Sequence, residues 1–122
     1  MIKDILISAL YMLNLSREAE EAAATQSGSN ETLKRFLRFF NLVNSEIASE
    51  YRTDSEAKKE YGLYDDEPAY YGITPRILAY GVAAEYCITE GLEDAATWDK
   101  RYKDGIANAK RKSAAVKCRK FF

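Results

Sequence analysis

The sequence predicts a mainly α-helical protein: a compact bundle of about four helices, with a short irregular or hairpin excursion between the second and third main helices. Three observations carry this. Apolar residues recur at three- and four-residue spacing in several separate stretches, which is the period of a helix face and not of a strand. Start and stop signals flank the clearest of those stretches, with Thr74 before Pro75 and Gly91 after Glu90. Between the second and third main helices lie Gly62, Pro68 and Gly72, residues that interrupt regular structure.

In chain order, Ile2, Ile5, Leu6, Ala9, Leu10 and Leu13 form a stripe of helical period, so the chain begins with a helix of about three to four turns. Asn14 and Ser16 mark a break or a restart. The next stretch, SREAEEAAATQ, favours helix by composition but has no large apolar residue beyond Leu15, so it either extends the first helix or frays. Ser27 to Asn30 read as a loop, with Ser29 or Asn30 as the cap of the second main helix. That helix runs from about Glu31 to Tyr51. Leu33, Phe36, Leu37, Phe40, Val43, Ile47 and Tyr51 share one face, and Lys34, Arg38, Asn41, Ser45, Ala48 and Arg52 lie on or near the other. Phe39 and Leu42 widen the apolar arc, which fits either core against a further helix or a subunit interface.

From Thr53 to Gly72 the character changes. Asp54 to Lys59 can hold one more helical turn, but the rest favours loop or short extended structure. Tyr61, Tyr64, Tyr70 and Tyr71 crowd this span. Such rings either contact a partner, supplying large area at low entropy cost, or pack down over the domain's own helices. Asp65, Asp66 and Glu67 lack the alternating spacing and central glycine of a calcium loop, so they read as a solvated acidic turn.

Thr74 and Pro75 then open a helix whose N-cap oxygen and first-turn proline both suit that position. From Ile77 to Ile88 only Glu85 is charged, so this helix belongs in the middle of the structure. Leu78, Val82 and Tyr86 form its ridge, while Ala79, Gly81, Ala83 and Ala84 let a neighbouring backbone come close. Gly91 ends it with a left-handed cap. Ala95, Trp98, Tyr102, Ile106 and Ala109 line the apolar face of the next helix, which has an acidic start at Glu93 and Asp94 and a basic end at Lys110 to Lys112. A glutamate on so apolar a helix reads as half of a structural pair, with Arg76, Lys100 or Arg101 as the partner.

A chain of 122 residues is one domain by size, here residues 1–112 with a basic arm over 113–122. With 47% apolar and 30% charged residues the balance is that of a globular protein, and no apolar run approaches the roughly 20 residues that span a bilayer. Asp4 and the helical spacing of the first residues argue against a signal peptide, so synthesis in the cytoplasm is expected. Cys87 reads as a buried thiol and Cys118 as a loose one, without the spacing of a redox or metal site. The net charge of −1 hides an asymmetry. Residues 1–104 hold 12 basic and 19 acidic side chains, whereas residues 105–122 hold six basic and no acidic ones. Histidine is absent, and no phosphate-cradling glycine loop, nucleophile elbow or zinc spacing occurs. The expectation is therefore a protein that is not an enzyme, with no cofactor, no metal, no membrane partner and no sequence-specific nucleic acid.

The run ITPRILAYGVAAEYCITEGLEDAATWDKRYKDGI resembles the C-terminal signature of the head-to-tail connector (adaptor, or head completion) proteins encoded in the structural gene clusters of tailed bacteriophages and prophages. Phe36 to Tyr51, FLRFFNLVNSEIASEY, is similar to that family's earlier helix, and Lys117 to Phe122 to its basic-aromatic tail. The chain departs from the family pattern in one place: only Arg52 to Gly72 stand where the family carries a longer, strand-rich segment. The resemblance implies a virion structural protein at the head-to-tail junction. It implies a homo-oligomeric ring, a dodecamer on the portal, with the portal protein and a tail or stopper protein as further partners. The interface candidates are Phe39 and Leu42 on the second main helix, Tyr61, Tyr64, Tyr70 and Tyr71 in the excursion, and Lys117, Arg119, Lys120, Phe121 and Phe122 in the arm. The arm is expected to order on docking. Two other readings stand beside this one: a small nucleic-acid-binding or regulatory helical module using the basic arm, and a carboxylate enzyme built around Glu85.

Overall fold

A computed structural model of the chain describes residues 1–25, 30–51 and 59–119, with side chains described through Lys112. Five helices make up the described residues: α1 (Ile2–Met12), α2 (Ser16–Ala24), α3 (Glu31–Glu50), α4 (Pro75–Glu90) and α5 (Ala95–Arg119). The protein is a mainly α bundle, as expected, with one helix more than the sequence suggested. The extra one arises at Asn14, which takes the left-handed conformation at φ 61°. Leu15 N–H then donates to the Leu10 carbonyl at 2.9 Å and Asn14 N–H to the Tyr11 carbonyl at 3.1 Å, the paired bonds that close a helix on a left-handed residue. The chain restarts at Ser16, and α2 stays in place by burying Ala19 and Ala22. Large apolar residues are not needed where a helix lies close against its neighbour.

The other boundaries follow their signals. Asn30 accepts from Leu33 N–H at 3.0 Å and Thr74 from Ile77 N–H at 3.3 Å, so both N-caps are made. Gly91 ends α4 at φ 66°, with Leu92 N–H donating to the Cys87 carbonyl at 2.9 Å. The expected loop over Ser27 to Asn30 lies outside the described residues except for Asn30, and the expected helical turn over Asp54 to Lys59 lies outside them except for Lys59, which is not helical. Residues 59–74 take the irregular form of the excursion, with no strand among them. This segment also completes α1: the carbonyls of Asp65 and Leu63 accept from Ile2 and Lys3 N–H at 3.0 and 2.9 Å, satisfying donors that a helix start leaves without partners.

α4 packs against α1, α3 and α5, the central position its composition predicts. Leu78 and Val82 are buried and Tyr86 is half-buried, with its ring centroid 5.2 Å from that of Phe36. Glycines set the spacing with α5. A Cβ on Gly81 would lie 2.9 Å from both the Tyr102 ring and Val43, and one on Gly105 would lie 2.9 Å from Ile77. Tyr102 of α5 thus crosses α4 at Gly81 and reaches α3. Farther along, Gly72 meets Ala109, so α5 passes the start of α4 near Lys110. Residues 111–119 continue as helix for about 13 Å more at 1.5 Å per residue. The sequence placed that helix end at Lys112; the backbone is helical to Arg119.

The core runs along α3. Phe36, Phe40, Leu33, Val43 and Ile47 are buried against Ile2, Ile5, Leu6, Ala9 and Leu10 of α1 and against Leu78 and Val82 of α4. Two positions of α3 differ from the simple two-faced reading. Ala48, assigned to the polar side, is fully buried, and Asn44 lies inside the core, where its Oδ1 accepts from the Tyr70 hydroxyl at 2.7 Å. No helix among the described residues is long and apolar enough to cross a membrane.

Candidate interaction surface

The outer face of α3 and the start of the excursion form the largest groove described, about 720 Å³, open along one side. Its construction begins with Asn41. The Asn41 amide brackets the backbone of Tyr61, donating to its carbonyl at 3.2 Å and accepting from its N–H at 2.8 Å. This pair of hydrogen bonds pins the excursion to α3, while the Tyr61 ring turns inward and meets Phe40 edge-on with centroids 5.8 Å apart. Lys59 lies 4.6 Å from the same ring. The groove left between the two segments is lined by the aliphatic Leu37 and Leu42 and by Lys34, Arg38 and Lys59 with the single acid Glu60. Lys34 shares charge with Glu31 at 3.4 Å, and Arg38 makes no ion pair among the described residues.

The apolar arc of α3 therefore divides. Phe39 is buried, packed edge-on against Phe36 at 5.7 Å, whereas Leu42 is 58% exposed over the groove. The tyrosines divide in the same way. Tyr61 and Tyr70 pack on the domain's own helices; Tyr64 and Tyr71 stay exposed. Of the candidates drawn from sequence, Leu42, Tyr64 and Tyr71 are thus surface residues, and Phe39, Tyr61 and Tyr70 are core. Lys117 and Arg119 lie on the last turns of α5 with their side chains outside the described residues, as are Lys120, Phe121 and Phe122 altogether.

The acidic turn is taken up structurally. Asp65 accepts from Gly62 N–H at 2.7 Å, and Glu67 pairs with the N-terminal amine at 3.2 Å. A backbone hydrogen bond, and after it that pairing, holds the Glu67 carboxyl below its ordinary range. Among the described residues no group of three His, Cys, Asp or Glu side chains is placed to hold a metal ion. Cys87 is buried, which raises its thiol pKa with help from Asp94.

Glu85 does not form the expected pair. No ion pair joins it to Arg76, Lys100 or Arg101 among the described residues; Arg101 instead lies 5.0 Å from the Trp98 ring. Glu85 is half-buried beside Glu46 and Asp99, and desolvation followed by those two charges raises its pKa. Tyr102 belongs to the same cluster: burial and the neighbouring Glu46, to which its hydroxyl donates at 3.4 Å, push its pKa well up. Among the described residues counter-charge reaches only the edges, through Lys103 on Asp99 at 2.9 Å and Lys110 on Glu50. Since the folded pKa of Glu85 lies above the unfolded one, the folded state holds the proton more tightly in that window, and stability falls as pH rises through it. Replacing Glu85 with glutamine is expected to raise stability near neutral pH by about 0.5 kcal/mol, the scale of a near-surface like-charge contact. The gain should vanish at about pH 3.5, where both states carry the proton. Thermal unfolding of the two proteins at both pH values checks this.

Sequence reasoning missed Asn41 and Asn44. The available signal was their position, since Asn44 falls between Phe40 and Ile47 on the core side of the α3 stripe. It also missed Arg35, which pairs with Glu90 and lies 5.5 Å from the Tyr86 ring, joining α3 to the end of α4. No family model, curated protein or solved structure matches the chain.

Proposed function

We propose that this protein is a virion structural subunit of a tailed bacteriophage or prophage, a head-to-tail connector forming a ring at the portal vertex. The family resemblance of residues 73–106 supports the assignment, and the all-helical fold is compatible with it. The observation that carries an assembly role is Leu42, an exposed leucine among the basic residues that line a groove on the longest fully described helix. Exposed aliphatic surface inside a charged rim is what a protein contact uses. The crowded carboxylates around Tyr102, Glu46 and Glu85 among them, serve the assembly reading as an acidic wall. Like charge on a channel wall keeps passing DNA from adhering. Size-exclusion chromatography with light scattering tests the proposal, on the protein alone and mixed with purified portal rings. The expected result is a mass of several subunits, alone or on the portal. A monomer under both conditions contradicts it.

A second reading rests on the helical continuation of α5 past the body, where Lys110, Arg111 and Lys112 are exposed. A nucleic-acid-binding module would use that arm and would bind duplex DNA with an affinity that falls steeply with salt. The connector reading expects no such binding from the isolated protein.

A further inference from the structure

We infer that the groove on α3 receives the turn between α4 and α5 of a second copy of this chain, so that subunits join head to tail. This rests on the assembly reading above and adds to it the two surfaces that meet.

The turn is a surplus of apolar and acidic side chains at one corner of the fold. Ile88 is 55% exposed and Leu92 is 45% exposed, on either side of the Gly91 cap. Beside the two aliphatic side chains are the exposed Glu90, Glu93 and Asp94. Glu90 pairs with Arg35 of its own chain, while Glu93 and Asp94 have no ion pair among the described residues. The groove offers the converse set: Leu37 and Leu42 below, with Lys34, Arg38 and Lys59 around.

Charge and apolar content choose this occupant over the chain's other segments. The C-terminal arm is basic, like the rim it would have to enter. In the acidic turn, Asp65 and Glu67 are held by Gly62 and the N-terminal amine, and Leu63 and Pro68 are buried. α2 carries Glu18, Glu20 and Glu21, but its exposed apolar residues are the alanines Ala23 and Ala24. The α4–α5 turn alone among the described residues joins exposed aliphatic anchors to carboxylates without ion pairs. Because groove and turn are different patches, each copy uses both. Such a contact repeats from subunit to subunit and closes into a ring when the rotation permits.

Sedimentation velocity of the full chain at low salt, across a concentration series, tests this with variants on the two surfaces. Leu42→Asp and Leu92→Asp should each weaken self-association about tenfold, as loss of a central anchor does. Arg38→Glu and Glu93→Lys should each weaken it, and the protein carrying both should recover to within about twofold of the wild type, since the pair is re-formed with its signs exchanged. Ala23→Asp, on an exposed position of α2 that lines neither the groove nor the turn, serves as the control and should change nothing. Wild-type protein that remains monomeric throughout overturns the inference. So does association that responds to Leu42→Asp but not to Leu92→Asp. If Leu42→Asp abolishes binding to portal rings while self-association is unchanged, the groove belongs to the portal: the head-to-tail contact is then wrong and the connector reading stands.

Discussion

Replacing Phe40 with alanine is expected to lower the stability of the fold by about 4 kcal/mol, the cost of deleting a buried ring when the surroundings relax only in part. Phe40 has no exposed surface and lies where α3 meets α1 and the excursion. Its ring supports Tyr61 edge-on, and Tyr61 is the residue that Asn41 holds by its backbone. Truncation therefore opens a cavity and loosens the segment that forms one wall of the groove. Against a total stability of about 5 to 15 kcal/mol for a domain, such a loss shifts the urea midpoint strongly while leaving the slope unchanged. A loss below about 1 kcal/mol would mean that Phe40 does not occupy this site. Two residues away, Leu42→Ala should stay within about 0.5 kcal/mol, because that side chain already faces water.

Gly81→Leu is expected to cost about 3 kcal/mol, at the upper end for overpacking a tight core. Helix propensity alone points the other way, since glycine within a helix is about 1 kcal/mol worse than alanine. The sign reverses because three helices cross at this residue. The first carbon of any side chain would meet Tyr102 and Val43 at 2.9 Å, inside van der Waals contact. Neither neighbour can withdraw freely: Tyr102 is buried with its hydroxyl on Glu46, and Val43 is 1% exposed within the core. Even Gly81→Ala should lose stability in thermal unfolding. A gain with alanine would show that α4 and α5 do not approach as described.

Local signals carry most of the fold. Asn30, Thr74 and Gly91 are readable as caps because each solves a problem of its own helix end, independent of the packing nearby. The central place of α4 is readable because a helix with one charge in twelve residues has no face to give to water. Asn14 reads as a break, but whether α2 forms depends on alanines finding a neighbour, which is a tertiary matter. The surface is less legible. Periodicity puts Phe39 and Leu42 on the same widened arc, and only the packing of the rest of the chain decides that one is core and the other exposed. The tyrosines of the excursion have no period at all, so nothing local divides them into Tyr61 and Tyr70 inside and Tyr64 and Tyr71 outside. For Glu85 the expected partner is wrong in sign, because helix spacing does not reveal that α3 brings Glu46 to the same place.

Electron microscopy of the purified protein mixed with portal rings decides whether this bundle assembles as proposed. Annular particles are predicted, extending the portal along its axis, with the outer face of α3 buried between neighbouring subunits. Portals left bare beside dispersed monomers at saturating protein would contradict it.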